Sequence, residues 1–362
     1  MSKVIHLADL HISQAERRYS LAVFDEIVEL CRTTGADLLL LAGDLFDSYP
    51  DAAALAPELR EHAAALPESC RAIAIPGNHE GLQRAGEPRK SLELGRITWI
   101  TGEPFERHGP AGLDLFAIPF RASYAEYLTW RIAEASGRPR IVMLHGTLAG
   151  MWFSGFEEDE EPTAAIDPDL FSRFDAAYAA LGHLHTPHLE RLDRCTVCYP
   201  GSARVWRRGE SEPRGVQLLE FSDETLLHQE RITLATAGRY RRLELPVGLD
   251  GSRAHAELDD YPLDRADYLE VVLSGLVESK AECAQLERAL QRRIGPHVRR
   301  LEIDTEHLEP VSGVSSLPLA RRFLEHWHRR LQHAATPQER ELLLEARRCG
   351  LGKIKQRIEG RT

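Results

Sequence analysis

The chain has 362 residues, 43% of them hydrophobic and 28% charged. At roughly 100–200 residues per domain it is long enough for two or three units with buried cores, and its composition is neither disordered nor collagen-like. The net charge of −11 is uneven: from Ser315 onward 11 Lys and Arg stand against 5 Asp and Glu, a net of +6 that leaves −17 on residues 1–314. An acidic body with a basic tail excludes long-range attraction of DNA by the body, so any nucleic-acid contact is local or supplied by a partner. No apolar run approaches the ~20 residues of a membrane span. Asp9 and His11 come too early for a signal-peptide core, and the six Cys are scattered in apolar patterns. A cytoplasmic protein with buried thiols, not disulfides, is expected.

Up to about residue 190, nearly continuous apolar runs alternate with helical periodicity. They predict strands at Val4–Ala8, Leu38–Ala42, Ala72–Ile75, Leu115–Pro119, Ile141–Leu144 and Ala177–Leu181, each covered on both faces. Between the first two, Tyr19, Val23, Ile27 and Cys31 recur at helical spacing, giving a β-α-β unit. After Cys195 the runs become Cys195–Tyr199, Gly215–Phe221 and Thr225–Leu234, separated by turns, which predicts a second, antiparallel sheet packed on the first. An α/β sandwich follows.

Residues 236–312 read as a small α+β unit with strands at Tyr240–Leu245, Tyr268–Leu273 and Val298–Ile303. Its helix carries Cys283, Leu286, Leu290 and Ile294 on one face and ends at Gly295-Pro296. Residues 313–362 predict two more helices. The first bears a stripe of Leu319, Phe323, Trp327 and Leu331; the second opens on the capping box Thr336-Pro337-Gln338-Glu339 and carries Leu342 and Leu343.

Five polar motifs each follow an apolar strand directly: Asp9-Leu10-His11, Gly43-Asp44-Leu45-Phe46-Asp47, Gly77-Asn78-His79-Glu80, His145-Gly146 and Gly182-His183-Leu184-His185. The carboxyl ends of strands in an open α/β sheet are where ligands bind, so the five can converge on one edge. Asp, His and Asn are hard or borderline O and N donors, suited to Mn, Fe or Zn more than to the oxygen cages of Ca or Mg. Seven such donors suffice for two ions that share one carboxylate, and two ions about 3.5–4 Å apart can activate a water and clamp a phosphate for in-line displacement. The chemistry predicted is phosphoester hydrolysis.

The five motifs in this order resemble the calcineurin-like metallophosphoesterases. Within them the chain is most similar to the SbcD (Mre-type) nuclease subunits of DNA repair, on the motifs, Ile118-Pro119-Phe120, Tyr199-Pro200-Gly201-Ser202, the small unit and the terminal helices. The resemblance implies a four-layer α/β/β/α sandwich over residues 1–235, an α+β cap over 236–312, and a helix pair over 313–362 that binds the coiled coil of an SbcC-type ATPase. It implies that Asp9, His11, Asp44 and His185 hold one ion, and that Asp44 bridges to a second held with Asn78, His145 and His183, with Mn2+ the expected metal. A water held between the ions would attack the phosphorus, His79 would act as acid, and Asp47 would orient His79. Glu80 stands where the family more often has Asp. DNA as substrate and a homodimer are further implications. A phosphodiesterase for small molecules such as a cyclic nucleotide, and a non-catalytic adaptor of the ATPase, are the alternatives.

Beyond the motifs, Arg121, Arg204 and Arg207, with Arg208, follow strands near the expected site edge and are candidates for phosphate contacts, although solvated surface charge is the commoner role of such residues. His188 reads as a loop residue and the Cys195-Thr-Val-Cys198 pair as core. Trp152, Phe153 and Phe156 beside the acidic run Glu157–Glu161 read as a packed loop, with a lid as the alternative. In the tail, Arg347, Arg348, Lys353, Lys355 and Arg357 are expected to face acidic coiled-coil positions or DNA phosphates.

Overall fold

The computed structural model describes residues 1–81, 91–121, 123–132, 136–151, 165–223, 225–247, 258–277, 279–310, 318–334 and 336–359. The segment around Trp152, Phe153, Phe156 and Glu157–Glu161 lies outside them. The chain divides into two units: Met1–Arg241 with Ala266–Tyr268, and Arg242–Arg265 with Leu269–Thr362.

The first unit begins with β1 (Ser2–Leu7), helix α1 (Arg17–Thr34), β2 (Leu38–Ala42), helix α2 (Tyr49–Ala63) and β3 (Arg71–Ile75), followed by a short helix α3 (Asn78–Gly81). β4 (Ile97–Trp99), β5 (Glu106–His108), β6 (Asp114–Ala117) and β7 (Arg140–His145) come next. Then come helix α4 (Asp169–Arg173) and β8 (Tyr178–Gly182), β9 (His188–Leu192), β10 (Cys195–Tyr199), β11 (Gly215–Phe221) and β12 (Leu226–Thr233). They form two six-stranded sheets, β12-β11-β1-β2-β3-β4 and β5-β6-β7-β8-β10-β9. β1 to β4 run parallel, as do β6, β7, β8 and β10, while β5, β9, β11 and β12 add antiparallel edges.

Strand alternation sorts the side chains into layers. Val4, Leu38, Leu40 and Ile73 from the first sheet meet Leu115, Ile141, Met143 and Ala180 from the second in a largely apolar interlayer, which also buries His6 against Tyr178. On the first sheet's outer face Ile5, Leu7, Leu39 and Leu41 pack against the helices through Val23, Phe24, Ile27, Leu55 and Leu59. On the second sheet's outer face Val142, Leu144, Ala179 and Val197 pack against Phe171, Tyr127 and Trp130. The architecture is therefore α/β/β/α. One expectation is corrected: the strands after Cys195 do not build a sheet of their own. β10 joins β8 in the second sheet, while β11 and β12 extend the first beyond β1. Alternation reports which face of a strand is buried, and it carries no information about which neighbour the strand pairs with.

Cys195 and Cys198 are buried in β10, and burial raises their thiols to about 12 and about 11, so they are inert core residues. Helix α2, which has no clean apolar stripe, is started by Ser48, whose hydroxyl accepts from the Asp51 N–H at 3.2 Å.

Strands β13 (Tyr240–Val247), β14 (Tyr268–Val277) and β15 (Arg300–Pro310), which lie in the second unit but for Tyr240, Arg241 and Tyr268, form one sheet, and the helix Lys280–Ile294 buries Leu290 and Ile294 against Leu245, Val271 and Leu273. Helices Pro318–Gln332 and Pro337–Glu359 pack through Ala320, Leu324 and Leu351. The expected stripe is rotated by about one residue: Leu319 is 69% exposed, while Ala320, Leu324 and Trp327 are buried. Arg347 is also corrected, since it is only 4% exposed and lies over the Trp327 ring at 4.7 Å, not facing outward. Among the described residues no helix is long and apolar enough to cross a membrane.

Candidate metal centre

The strands that carry the five motifs end together. Asp9 and His11 follow β1, Asp44 and Asp47 follow β2, and Asn78 and His79 open α3 after β3. From the facing sheet, His145 closes β7, and His183 and His185 follow β8. Main-chain bonds knit the loops: Asp9 N donates to Gly43 O at 3.1 Å, His11 N to Asp44 O at 3.0 Å and Ser202 N to His185 O at 3.1 Å. Asp9, His11, Asp44 and His183 all have positive φ, at 54°, 46°, 49° and 104°. Non-glycine residues held there cost of order 1–3 kcal/mol each, a strain found mainly where function demands it. Gly77 serves the same crowding, because a Cβ there would lie 2.1 Å from Asp44 Oδ1.

Three overlapping groups of candidate ligands result: Asp9, His11 and His185; His11, Asp44 and His79; and Asp44, His145 and His183. Asn78 joins the last, its Oδ1 at 2.9 Å from His145 Nε2 and 3.2 Å from His183 Nδ1. The hydrogen bonds behind the rings fix where the lone pairs point. His145 Nδ1 lies 2.8 Å from Ala42 O, and a carbonyl only accepts, so the hydrogen is on Nδ1 and Nε2 presents a lone pair. That lone pair faces Asp44 Oδ2 at 3.2 Å as well as Asn78 Oδ1. Glu210 Oε1, 2.5 Å from His185 Nδ1, likewise turns the lone pair of Nε2 toward His11 Nε2 at 3.1 Å. Acceptors that face acceptors repel unless a cation or a proton stands among them. Oxygen and imidazole donors in this number fit two divalent ions of the Mn, Fe or Zn kind.

The electrostatics agree with that reading. Burial raises Asp9 to about 6. Burial would also raise Asp44, but the histidines around it, His145 first, outweigh it and hold this carboxyl well below the usual range. Burial disfavours a charged His145, yet Asp44 beside it wins and lifts the ring to about 9. A proton thus takes the position between Asp44 and His145 that a metal ion would contest. Burial drops His11 and His183 to about 3, which keeps both rings neutral and fit to ligate. Glu80, raised by burial and then by Asp44 to about 8, accepts from Phe46 N at 2.7 Å and Gly77 N at 2.9 Å, tying the loops after β2 and β3 together.

The remaining candidates divide. His79 is the partly exposed histidine of the cluster, its Nδ1 2.7 Å from the main-chain oxygen of Asp47 and its Nε2 4.0 Å from Asp44 Oδ2. The Asp47 carboxylate, expected to orient His79, turns instead to Trp206 Nε1 at 2.7 Å and His11 Nδ1 at 3.4 Å. It is the backbone of Asp47 that meets His79. Arg204 is not at the surface: it is fully buried, and its guanidinium donates to Leu10 O at 2.6 Å, to His11 O and to Glu16 Oε2 at 2.6 Å. It braces the loop that carries His11. Arg207 lies beside Glu210 and over the Trp206 ring at 5.7 Å, Arg208 is exposed, and Arg121 pairs with Glu103 and Glu126 at 3.7 and 3.6 Å. His188 sits 3.6 Å from Glu190, outside the candidate ligand groups.

Sequence reasoning missed Glu210 and Trp206. Trp206 stacks on His11 with ring centroids 4.2 Å apart and planes 12° apart, and Glu210 also accepts from Trp206 N at 2.7 Å. Both lie on the turn after β10, past the last motif, where only the nearby Tyr-Pro-Gly-Ser segment hinted at a site loop.

A model of the calcineurin-like phosphoesterases matches residues 2–187 of the chain. A DNA double-strand break repair protein Mre11 of Haloferax volcanii is 29% identical over 238 residues, covering 62% of this chain and 51% of that protein. The SbcD component of an SbcCD nuclease from Staphylococcus saprophyticus is 25% identical over 261 residues, 62% of this chain and 67% of that one. An uncharacterized metallophosphoesterase, YhaO, of Bacillus subtilis is 22% identical over 62% of this chain and 59% of its own. The match thus spans about half the length of the Haloferax protein.

Proposed function

The chain belongs to the calcineurin-like phosphoesterase family, and from that premise we propose that it is a metal-dependent nuclease subunit acting on DNA ends or single strands. The observation that carries the hydrolase part is the convergence of the His145 and His185 lone pairs on Asp44, Asn78 and His11. The nuclease part is supported by relatives named for DNA double-strand break repair and as part of an SbcCD nuclease.

In this reading Asp9, His11, Asp44 and His185 would hold one ion, and Asp44, Asn78, His145 and His183 the other, with Mn2+ the expected metal among the Mn, Fe and Zn ions that such mixed donors accept. Two ions held there would supply an activated water and neutralise charge on the phosphate. Glu210 and Trp206 hold His185 and His11 in register, and the Asp47 carboxylate lies 3.4 Å from His11 Nδ1. His79 has its Nδ1 hydrogen engaged by the Asp47 carbonyl, so a proton that it gives to the leaving oxygen leaves from Nε2. Arg207 and Arg121 line the approach for phosphates, and Arg204 supports the loop beneath. Residues 236–312 act as the cap. Residues 313–362 dock the coiled coil of an SbcC-type ATPase, a role supported by the exposed Leu319, Leu342 and Leu344. A homodimer working in the cytoplasm completes the proposal.

The test is cleavage by the purified chain with Mn2+ of end-labelled single-stranded and duplex DNA, with cyclic AMP alongside. DNA cleavage that Asp44→Ala abolishes is the expected result. Hydrolysis of cyclic AMP alone would replace the nuclease with a small-molecule phosphodiesterase. No hydrolysis of either, together with a His79→Ala variant that keeps full cellular function, would leave only the adaptor.

A further inference from the structure

At the other end of the second sheet, four arginines surround a cavity of about 350 Å³ lined by Arg138, Arg140, Arg191 and Arg194, with Asp175 as its one carboxylate. Arg140 is the first residue of β7 and His145 the last. Five steps of ~3.3 Å put the cavity about 17 Å from the metal ligands, so a phosphate bound here is not the one being cleaved.

Three features mark it as built for an anion. First, it concentrates positive charge on a stretch of chain, residues 1–314, that is otherwise strongly negative. Second, neutral acceptors position two of the arginines: Arg140, only 5% exposed, donates from Nη1 to Phe174 O at 3.0 Å and lies over the Phe116 ring at 5.5 Å, with the Asp114 carboxylate within its electrostatic reach. Arg191 donates from Nε to Asp193 O at 3.2 Å and from Nη1 to Thr196 Oγ1 at 3.3 Å. Third, among the described residues no carboxylate forms an ion pair with Arg138, Arg191 or Arg194, whereas Arg107, Arg121, Arg204 and Arg241 in the same unit each have one. Four like charges gathered around one lining carboxylate, Asp175, repel one another, and a bound anion offsets that repulsion.

We propose that this cavity binds clustered phosphate groups, either those of a small oligophosphate or the terminal phosphate of a nucleic-acid strand. The guanidinium fork matches phosphate oxygens in pairs, and ~350 Å³ lies at the small end of ligand sites. Pro139, Ala176, Ala177 and Thr225 complete the lining without an aromatic ring, so phosphate is gripped and a base is not read. The site is independent of the metal centre.

The experiment is calorimetric titration of the full chain with sodium tripolyphosphate in the presence of EDTA, which removes metal-mediated binding. Saturable binding at one site is expected, weakened at least tenfold by Arg138→Gln with Arg194→Gln. The exposed pair Arg288→Gln and Arg292→Gln loses the same charge elsewhere and is expected to bind within twofold of the parent, as is Asp44→Ala. Arg194→Glu alone gives a second reading of the pocket should the double variant fold poorly. Competition then identifies the source. A 5′-phosphorylated decanucleotide that displaces tripolyphosphate, where its 5′-hydroxyl counterpart does not, assigns the strand terminus; displacement by neither assigns the small oligophosphate. No saturable binding, equal loss in the control pair, or loss in Asp44→Ala would each overturn the proposal.

Discussion

Replacing Glu210 with Gln tests the metal centre through a residue that touches no ion. The Glu210 carboxylate keeps the proton of His185 on Nδ1 at 2.5 Å and so turns the lone pair of Nε2 into the site. Burial would raise this carboxyl, but the hydrogen bond from His185 and the nearby Arg214 bring it down to about 2, so it is a full negative charge at neutral pH. Glutamine keeps an oxygen for Trp206 N at 2.7 Å, which preserves the turn, and loses the charge that strengthens the imidazole as a donor. Partners of this kind are worth about 10–100-fold in metal affinity, or ~1.4–2.7 kcal/mol. Titration with Mn2+ followed by calorimetry should show one of two ions weakened by that factor and the other by less than about threefold, since Asn78, His145 and His183 do not touch Glu210. Unchanged affinity for both ions, or equal weakening of both in a folded variant, would refute the assignment of His185 to one ion only.

Arg204→Ala should lower the unfolding free energy by about 3–5 kcal/mol, because it strips a buried guanidinium from Leu10 O, His11 O and Glu16. Urea titration measures it, and a loss below about 1 kcal/mol would return Arg204 to the solvated surface. His6 is fully buried beside Tyr178, and burial lowers it to about 3, so the unfolded chain takes up its proton near pH 6.5 while the folded chain does not. Stability from this group is complete above pH 6.5 and falls toward pH 3, at up to ~1.4 kcal/mol per pH unit. In urea titrations between pH 6.5 and 5, His6→Gln should flatten the slope by about that amount; an unaltered slope would mean that His6 is protonated in the folded chain.

The legibility of this molecule in its sequence follows the range of the interactions. Strands β2, β10 and β11 are bounded as their apolar runs predict, and β2, covered on both faces, is apolar at every position. The ligand residues stand out for a related reason: Asp9, Asp44 and His183 interrupt or end apolar runs where a polar group has no packing role. Short edge strands such as Ile97–Trp99 and Glu106–His108 escape notice, being too brief to set a period. Helix Tyr49–Ala63 escapes because Ala and Pro blur its stripe. Glu210 and Arg204 illustrate the deeper limit. Both are charged residues in a turn-rich segment, where charge ordinarily means solvent. Only the fold reveals that Arg204 is buried against a loop 194 positions away in sequence, and Glu210 against one 25 positions away.

The site also explains why so much apolar structure stands behind it. Four ligand residues sit at positive φ, and two histidine lone pairs, those of His145 and His185, are turned into the site, so the isolated loops would relax away from this arrangement. What prevents relaxation is attachment: each ligand follows a strand whose residues are almost wholly buried, Gly77 lets Asp44 approach without a Cβ in the way, and Trp206 and Arg204 clamp His11 from ring and backbone. The two sheets therefore act as a frame that keeps the donors in an arrangement they would not adopt alone, so that ion binding need not assemble them. It follows that loosening the frame and removing a ligand should differ in kind: the first lowers stability and metal affinity together, whereas the second lowers affinity and, by relieving repulsion among the donors, leaves the metal-free fold as stable as before or more so.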